Sequence, residues 1–444
     1  MSVQPVVRYA SLTDVGMRRS ANQDDLTVRL CKEYSEWDTM GHLFVVADGM
    51  GGHSVGDLAS RITVETLPLA FVKSDAEAPS RRLAGAVNAA NRAIGDKARE
   101  NPEFSDMGTT CSALSLSAEG AWIAHVGDSR VYRLRDEVIE QLTFDHSLQW
   151  EMIRQGRATA ENSELLHPRN VITRCLGPNK NVEIDVEGPF DVRPGDRFLL
   201  CSDGLTGHVT DPEMGAVVNL LPAAEASRLL IDLANCRGGT DNTTVVIAVV
   251  EEYPAVTTPT IESQTVQTEP GGQTADQATA ARRAVWGRIS IVLFGLLALL
   301  GLILLITNRQ SSAGPFLVYG ALLLGFVQLI MSTRQRTTVK VGASGQSASQ
   351  APMGVREPAE CSPYRRESAE LGLEFLDLLS QAQGELTSAA TDNGWRLDVE
   401  QLTRLSRQAV VAREEKLPGG GLREYAKALR ILMKEFTGHM RPRG

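Results

Sequence analysis

An α+β sandwich over residues 1–252 is the fold class the sequence predicts, and three observations predict it. Short apolar, β-rich runs recur between Gly and Asp turns. Helix-like stretches fall among them without a regular strand–helix–strand period, which disfavours a doubly wound sheet. Several of the runs also end in a carboxylate beside a glycine, so the strand termini are marked by chemistry as well as by turns.

The strand candidates are LFVVA (43–47), CSALSLSA (111–118), AWIAHV (121–126), RFLLCS (197–202) and TTVVIAVV (243–250). Helical periodicity occupies 57–71, 79–99 and 222–235. From 253 to 283 the composition turns to Thr, Gln, Pro and Gly with almost no large apolar residue, the signature of a flexible tether. Residues 289–306, ISIVLFGLLALLGLILLI, then run without a charge. As a helix they would reach roughly 27 Å, the thickness of a hydrocarbon core. A second apolar run at 315–332 is weakened by Pro315 and Gln328 but reads as the return span of a hairpin. Arg282, Arg283 and Arg288 precede the first run and Arg334, Arg336 and Lys340 follow the second, so both ends are expected on the cytoplasmic side of an inner membrane. A Gly/Ser/Ala-rich linker at 337–362 leads to a C-terminal helical segment, 363–444, with apolar stripes of Leu371, Phe375, Leu378 and Leu379, then Leu397, Leu402, Leu405 and Val410, then Leu422, Tyr425, Leu429, Leu432 and Phe436. The LPGGG stretch at 417–421 reads as the break between the last two. A small cytoplasmic three-helix bundle with an unknown partner is expected.

The whole chain of 444 residues has a formal net charge of -9 with both signs interspersed, which argues against a nucleic-acid surface. Its six cysteines are scattered, without a CxxC pair, as buried thiols in a reducing compartment would be. The first residues carry no apolar stretch behind a basic start and do not read as a secretory signal.

The chemistry lies in the strand-end carboxylates. Asp48 follows LFVVA, Asp128 follows AWIAHVG, Asp203 follows RFLLCS, and Asp241 precedes NTTVVIAVV. A single Asp-Gly at a strand end is ordinarily a turn. Four of them, with Asp24 of NQD (22–24) as a fifth candidate, describe an all-oxygen cluster that repels itself unless cations neutralise it. Carboxylates without paired His or Cys suit hard ions, Mg²⁺ or Mn²⁺, rather than zinc. Rival glycine-loop readings fail on the letters: Gly51 to Gly56 is followed by Asp57 where a P-loop needs Lys, and Ser54 stands where a dinucleotide loop needs Gly.

Eight stretches in order then resemble the bacterial form of the metal-dependent PP2C (PPM) protein phosphatases, over residues 8–250. They are TDVGMRRSANQDD (13–25), VVADGMGGHSVGDLAS (45–60), MGTTCSAL (107–114), AHVGDSRVYRL (124–134), LTFDHSL (142–148), HPRNVITRCLG (167–177), GDRFLLCSDGL (195–205) and GGTDNTTVVIAVV (238–250). The resemblance implies a PP2C-like central β-sandwich flanked by helices. It implies that Asp48 bridges two metal ions, Gly49 gives a backbone carbonyl, Asp203 and Asp241 complete one shell, and Asp24 serves the second largely through water. Asp128 matches the acid that holds a third ion with Asp203 in bacterial members. Arg19 takes the place of the arginine that grips the substrate phosphate, and Asp48 and Arg19 are the residues it makes catalytic. Met50 stands where many eukaryotic members carry a general-acid histidine, and Gln23 where some carry Glu. Neither His53 nor His146 is assigned that acid role; both read as loop anchors. Ser129 and Arg130 read as supports for the loop of Asp128.

The expectation is a membrane-tethered Mn²⁺/Mg²⁺-dependent phosphatase that hydrolyses phosphoserine and phosphothreonine by a metal-bound hydroxide, with phosphoproteins, Ser/Thr kinases among them, as partners. The alternative is an inactive membrane scaffold or signal receiver that acts through its C-terminal helices.

Overall fold

The computed structural model describes residues 6–32, 34–51, 55–157, 171–252, 355–356, 365–415 and 417–440. The strands are β1 (Val6–Asp14), β2 (Asp24–Arg29), β3 (His42–Met50), β4 (Gly108–Thr109), β5 (Cys111–Ser117), β6 (Gly120–Val126), β7 (Arg130–Arg135), β8 (Val138–Gln141), β9 (Ile184–Phe190), β10 (Arg197–Cys201), β11 (Thr243–Glu252), β12 (Val355–Arg356) and β13 (Arg366–Ser368). The helices are α1 (Tyr34–Thr39), α2 (Gly56–Lys73), α3 (Pro79–Ala98), α4 (Leu148–Arg154), α5 (Asp203–Thr206), α6 (Asp211–Leu220), α7 (Ala223–Cys236), α8 (Leu373–Asp392), α9 (Val399–Glu414) and α10 (Pro418–Met440).

Two sheets form, one in the order β1-β11-β10-β7-β8-β13 and the other β12-β9-β6-β5-β3-β2, with β4 beside β3. They stack because their strands alternate between two apolar faces. Phe44, Val46, Leu114 and Ile123 of one sheet meet Val131, Phe198, Leu200, Val246 and Ala248 of the other in a fully buried interior. The next residues along, Leu43, Val45, Ala113 and Ala124, point outward onto Leu67, Phe71, Leu83, Val87 and Ile94 of α2 and α3. Leu199, Cys201, Val245 and Ile247 point the opposite way, onto α6 and α7. The central strands of both sheets are therefore covered on both faces, which is why β3, β10 and β11 read as continuous apolar runs rather than as alternating ones. Truncating an interior residue such as Phe198 to Ala would cost about 3–5 kcal/mol.

The C-terminal helices pack on this body rather than beside it: their leucines belong to the same buried cluster as α6 and α7, and β13 extends the first sheet at β8. The stripes differ in detail from the sequence reading. Leu378 and Val410 are exposed, and Leu376, two positions away, and Ala409, one position away, are buried in their place. The LPGGG stretch is not a break throughout: α9 ends at Glu414 and α10 begins at Pro418, so the three glycines lie inside its first turns. Proline is preorganised for a first helical position, where its missing N–H has no partner to lose.

Among the described residues no helix is long and apolar enough to cross a membrane. The apolar runs 289–306 and 315–332, the tether 253–283 and most of the linker 337–362 lie outside the described residues.

Candidate active site

Antiparallel pairing brings the acidic strand ends to one end of the sandwich. Cys201 at the end of β10 pairs with Val245 near the start of β11 and with Arg130 at the start of β7. In the other sheet Val46 pairs with Ser112, and Cys111 with Val126, so β3 and β6 end at the same rim where β5 begins. Asp128 sits in the crossover from β6 to β7, Asp203 opens α5 directly after β10, and Asp241 lies just ahead of β11. Asp24 and Asp48 are direct cross-strand partners of β2 and β3, which puts both carboxylates on one face of the sheet. All five aspartates expected from the sequence thus come together, with Arg19 and Gly49.

Hydroxyls and amides hold them in place. The Asp48 N–H donates to Thr110 Oγ1 at 3.0 Å, and the Asp48 carbonyl accepts from Thr110 N and Thr109 Oγ1, both at 2.8 Å. Ser202 Oγ donates to Asp24 Oδ2 at 2.7 Å and accepts from Thr244 N at 2.9 Å, tying β2 to β10 and β11. Asn242 is buried and links three segments: its Oδ1 accepts from Gln23 N, and its Nδ2 donates to the carbonyls of Val15 and Ala21. Arg19 Nη2 donates to Asp241 Oδ2 at 2.8 Å, with the guanidinium half exposed at the rim. Gly49 has no room for a side chain, because a Cβ there would lie 2.1 Å from the Gly56 carbonyl and 2.6 Å from that of Gln23.

The Asp128 loop is anchored from below. His146 Nδ1 accepts from Gly127 N at 3.0 Å while the His146 N–H donates to the Gly127 carbonyl at 2.7 Å, and the ring's Nε2 meets Asp185 Oδ2 at 3.1 Å. Ser129 Oγ shares a 2.7 Å hydrogen bond with Thr110 Oγ1. Arg130 forks onto Asp145, and Tyr132 donates to Asp211. Ser129 and Arg130 therefore support the loop, and His146 is a loop anchor as expected. His53 lies outside the described residues.

Electrostatically this end of the sandwich is under load. Burial, opposed by the Ser202 and Thr244 hydrogen bonds and reinforced by Asp203 and Asp241, pushes the Asp24 carboxyl up to about 7. Burial and then Asp241 push Asp203 up to about 6. Asp48 and Asp128 are also raised, first by burial and then by neighbouring carboxylates. One carboxylate oxygen each of Asp24, Asp128 and Asp203 is buried without a hydrogen-bond partner. Among the described residues no three His, Cys, Asp or Glu side chains close on a common point as placed. The fit to hard cations rests instead on the donor set: oxygen only, crowded, partly orphaned, and held at an energy cost that positive charge would remove.

Residues 17–236 match the family model described as protein phosphatase 2C. Protein phosphatase PhpP of Streptococcus pneumoniae is 33% identical over 248 residues, covering 55% of this chain and 98% of that protein. The chain belongs to the protein phosphatase 2C family. Serine/threonine protein phosphatase PstP of Mycobacterium tuberculosis is 34% identical over 253 residues, which span 56% of this chain but only 46% of PstP. The crystal structure of that phosphatase superimposes with a TM-score of 0.50 at 34% identity, covering 55% of this chain and 99% of the solved one. A PstP catalytic domain has also been solved in complex with two manganese ions, with a TM-score of 0.48. Within this phosphatase 2C fold, the residues that sequence reasoning missed are Ser202, Asn242 and Thr110. Ser202 and Asn242 adjoin Asp203 and Asp241 in sequence, whereas Thr110 adjoins no acid and meets Asp48 only through strand pairing.

Proposed function

We propose that this chain is a Mn²⁺- or Mg²⁺-dependent phosphatase of phosphoserine and phosphothreonine in proteins. The observation that carries the reading is the gathering of five aspartates and Arg19 at one end of the sandwich, with buried oxygens of Asp24, Asp128 and Asp203 left without partners. Asp24, Asp48, Asp128, Asp203 and Asp241, with the Gly49 carbonyl, are the groups that would hold the ions. When bound, two hard cations supply the charge that acidifies an attacking water and neutralises the phosphoryl oxygens. Arg19 stands half exposed beside Asp241, where its planar fork can take two phosphate oxygens and orient the ester. The hydroxyls of Thr110 and Ser202 and the Asn242 amide keep the aspartates from drifting apart under mutual repulsion. His146 is occupied by Gly127 and Asp185 and is not free to protonate a leaving group.

Release of phosphate from a phosphothreonine peptide by the full chain tests this. Turnover should require Mn²⁺ or Mg²⁺, stop with EDTA, and fall by about 100-fold or more in Asp203→Asn. A folded chain with EDTA-resistant turnover, or with none, would contradict it.

The same reading places the phosphatase at a membrane, because residues 289–306 carry no charge and arginines flank the two apolar runs. Membrane-associated Ser/Thr kinases are then its natural phosphoprotein partners. Recovery of the full chain in the alkali-resistant membrane fraction is the expected result, and recovery in the supernatant would oppose it.

A further inference from the structure

The outer face of α7 is covered by the chain's own C-terminal segment, and that contact leads back to the active site. Strand β13 pairs with β8, where Arg366 Nε meets Glu140 Oε1 at 2.7 Å. Ala369, fully buried, then rests on Gly215 of α6, where an added Cβ would lie 2.8 Å from the alanine methyl. Helix α10 runs along α7. Arg423 Nε reaches Glu225 Oε2 at 2.9 Å and Arg430 Nη1 reaches Asp232 Oδ1 at 3.2 Å. The spacing between the two pairs is the same on both helices and equals about two turns, so α10 and α7 run parallel and in register. Leu422, Leu429, Leu432 and Met433 share the buried cluster with Leu229, Leu230 and Leu233.

Beyond Asp232, α7 holds the acidic end of the sandwich. Asn235, just under one turn further on and equally buried, donates Nδ2 to Asp14 Oδ1 at 3.1 Å, the oxygen that also accepts from Gly16 N. The chain leaving α7 offers the Gly239 carbonyl to Met17 N and Arg18 N. Arg19 and Asp241, which meet at 2.8 Å, are therefore presented by two loops that are both fastened to the end of α7. Asp232 is buried with its second oxygen unpartnered; Arg430 holds the other oxygen and, with the nearby Arg228, supplies the opposing charge that lets this stretch of α7 stay seated.

We propose that Arg430, Asp232 and Asn235 are positioning residues, through which the C-terminal helices brace α7 and set the Arg19–Asp241 half of the site. This rests on the metal-dependent phosphatase reading. The full chain, Arg430→Ala, Arg430→Lys and Arg423→Ala are compared by calorimetric Mn²⁺ titration and by KM and kcat on a phosphothreonine peptide. Arg430→Ala should weaken Mn²⁺ binding and raise KM, each by about tenfold, as loss of an outer support does at metal sites. Arg430→Lys should restore both. Arg423→Ala, whose pair is exposed and two turns further from the loops, should leave both unchanged. The double variant Asp232→Asn/Arg430→Ala leaves no unpaired charge inside and so remains folded; it should share the weakened binding. Wild-type Mn²⁺ affinity in both the single and the double variant would overturn the brace and leave the phosphatase reading standing. A wild-type chain that binds no Mn²⁺ would overturn both.

Discussion

Aspartates carry this site; Asp48, Asp128, Asp203 and Asp241 were visible in the sequence because an acid at the end of an apolar strand within two residues of glycine is conspicuous one position at a time, and Asp24 through the NQD stretch. Their supports were not visible. Ser202, Thr110 and Asn242 look like ordinary turn or strand polars until pairing of distant strands puts them against Asp24, Asp48 and Gln23. Asn242 shows what such a residue contributes. Replacing it by Ala removes the partner of the Gln23 N–H and of the Val15 and Ala21 carbonyls, all in part-buried bonds, at about 1–3 kcal/mol for each group that water does not reach. Asn242→Ala should therefore melt well below the wild type, and Asn242→Asp, which turns a carboxylate oxygen toward the Val15 and Ala21 carbonyls beside already crowded acids, should also melt low. Equal melting of all three would show that the clasp contributes nothing.

Among the elements, long periodic ones were legible: α2, α3 and α7 and four of the five apolar strands lie within a residue or two of where pattern places them, while β3 runs three residues past LFVVA. Short edge strands such as β13 were not, since three residues carry no period and their pairing with β8 is a tertiary event. The contact of α7 with α10 has a titration signature. Burial, opposed by Arg430, pushes Asp232 up to about 6 from an ordinary 3.8. The folded chain then holds this proton more tightly than the unfolded chain. Its contribution to stability is complete below the ordinary value and is lost as pH rises through about 6, amounting to ~2–3 kcal/mol. Asp232→Asn should lack that decline. The stability difference between the two proteins, measured by denaturant unfolding from pH 4 to pH 7, should move in favour of the variant as pH rises. A constant difference would mean that Asp232 does not change its proton affinity on folding.

At the scale of the molecule, the chain leaves the sandwich after β11, rejoins it as β12 and β13, and then covers α6 and α7, an arrangement that local periodicity cannot reveal. The sandwich without this return would lose the C-terminal half of the apolar cluster that α6 and α7 share with α8, α9 and α10. Residues 1–252 alone should melt lower than the full chain by about 10 °C or more. Equal melting would show that the C-terminal helices cover nothing the sandwich needs covered.

Crowded carboxylates of this kind call for cations, and the decisive experiment is Mn²⁺ titration of the full chain at pH 6.5 by calorimetry, in two buffers of different ionisation enthalpy. Asp24 and Asp203 are pushed up to about 7 and about 6, so protons held by the cluster must leave as the metal enters. The account predicts saturable binding with net proton release, weakened by about tenfold or more in Asp48→Asn. Absence of saturable binding by the folded chain, or identical binding by Asp48→Asn, would contradict it.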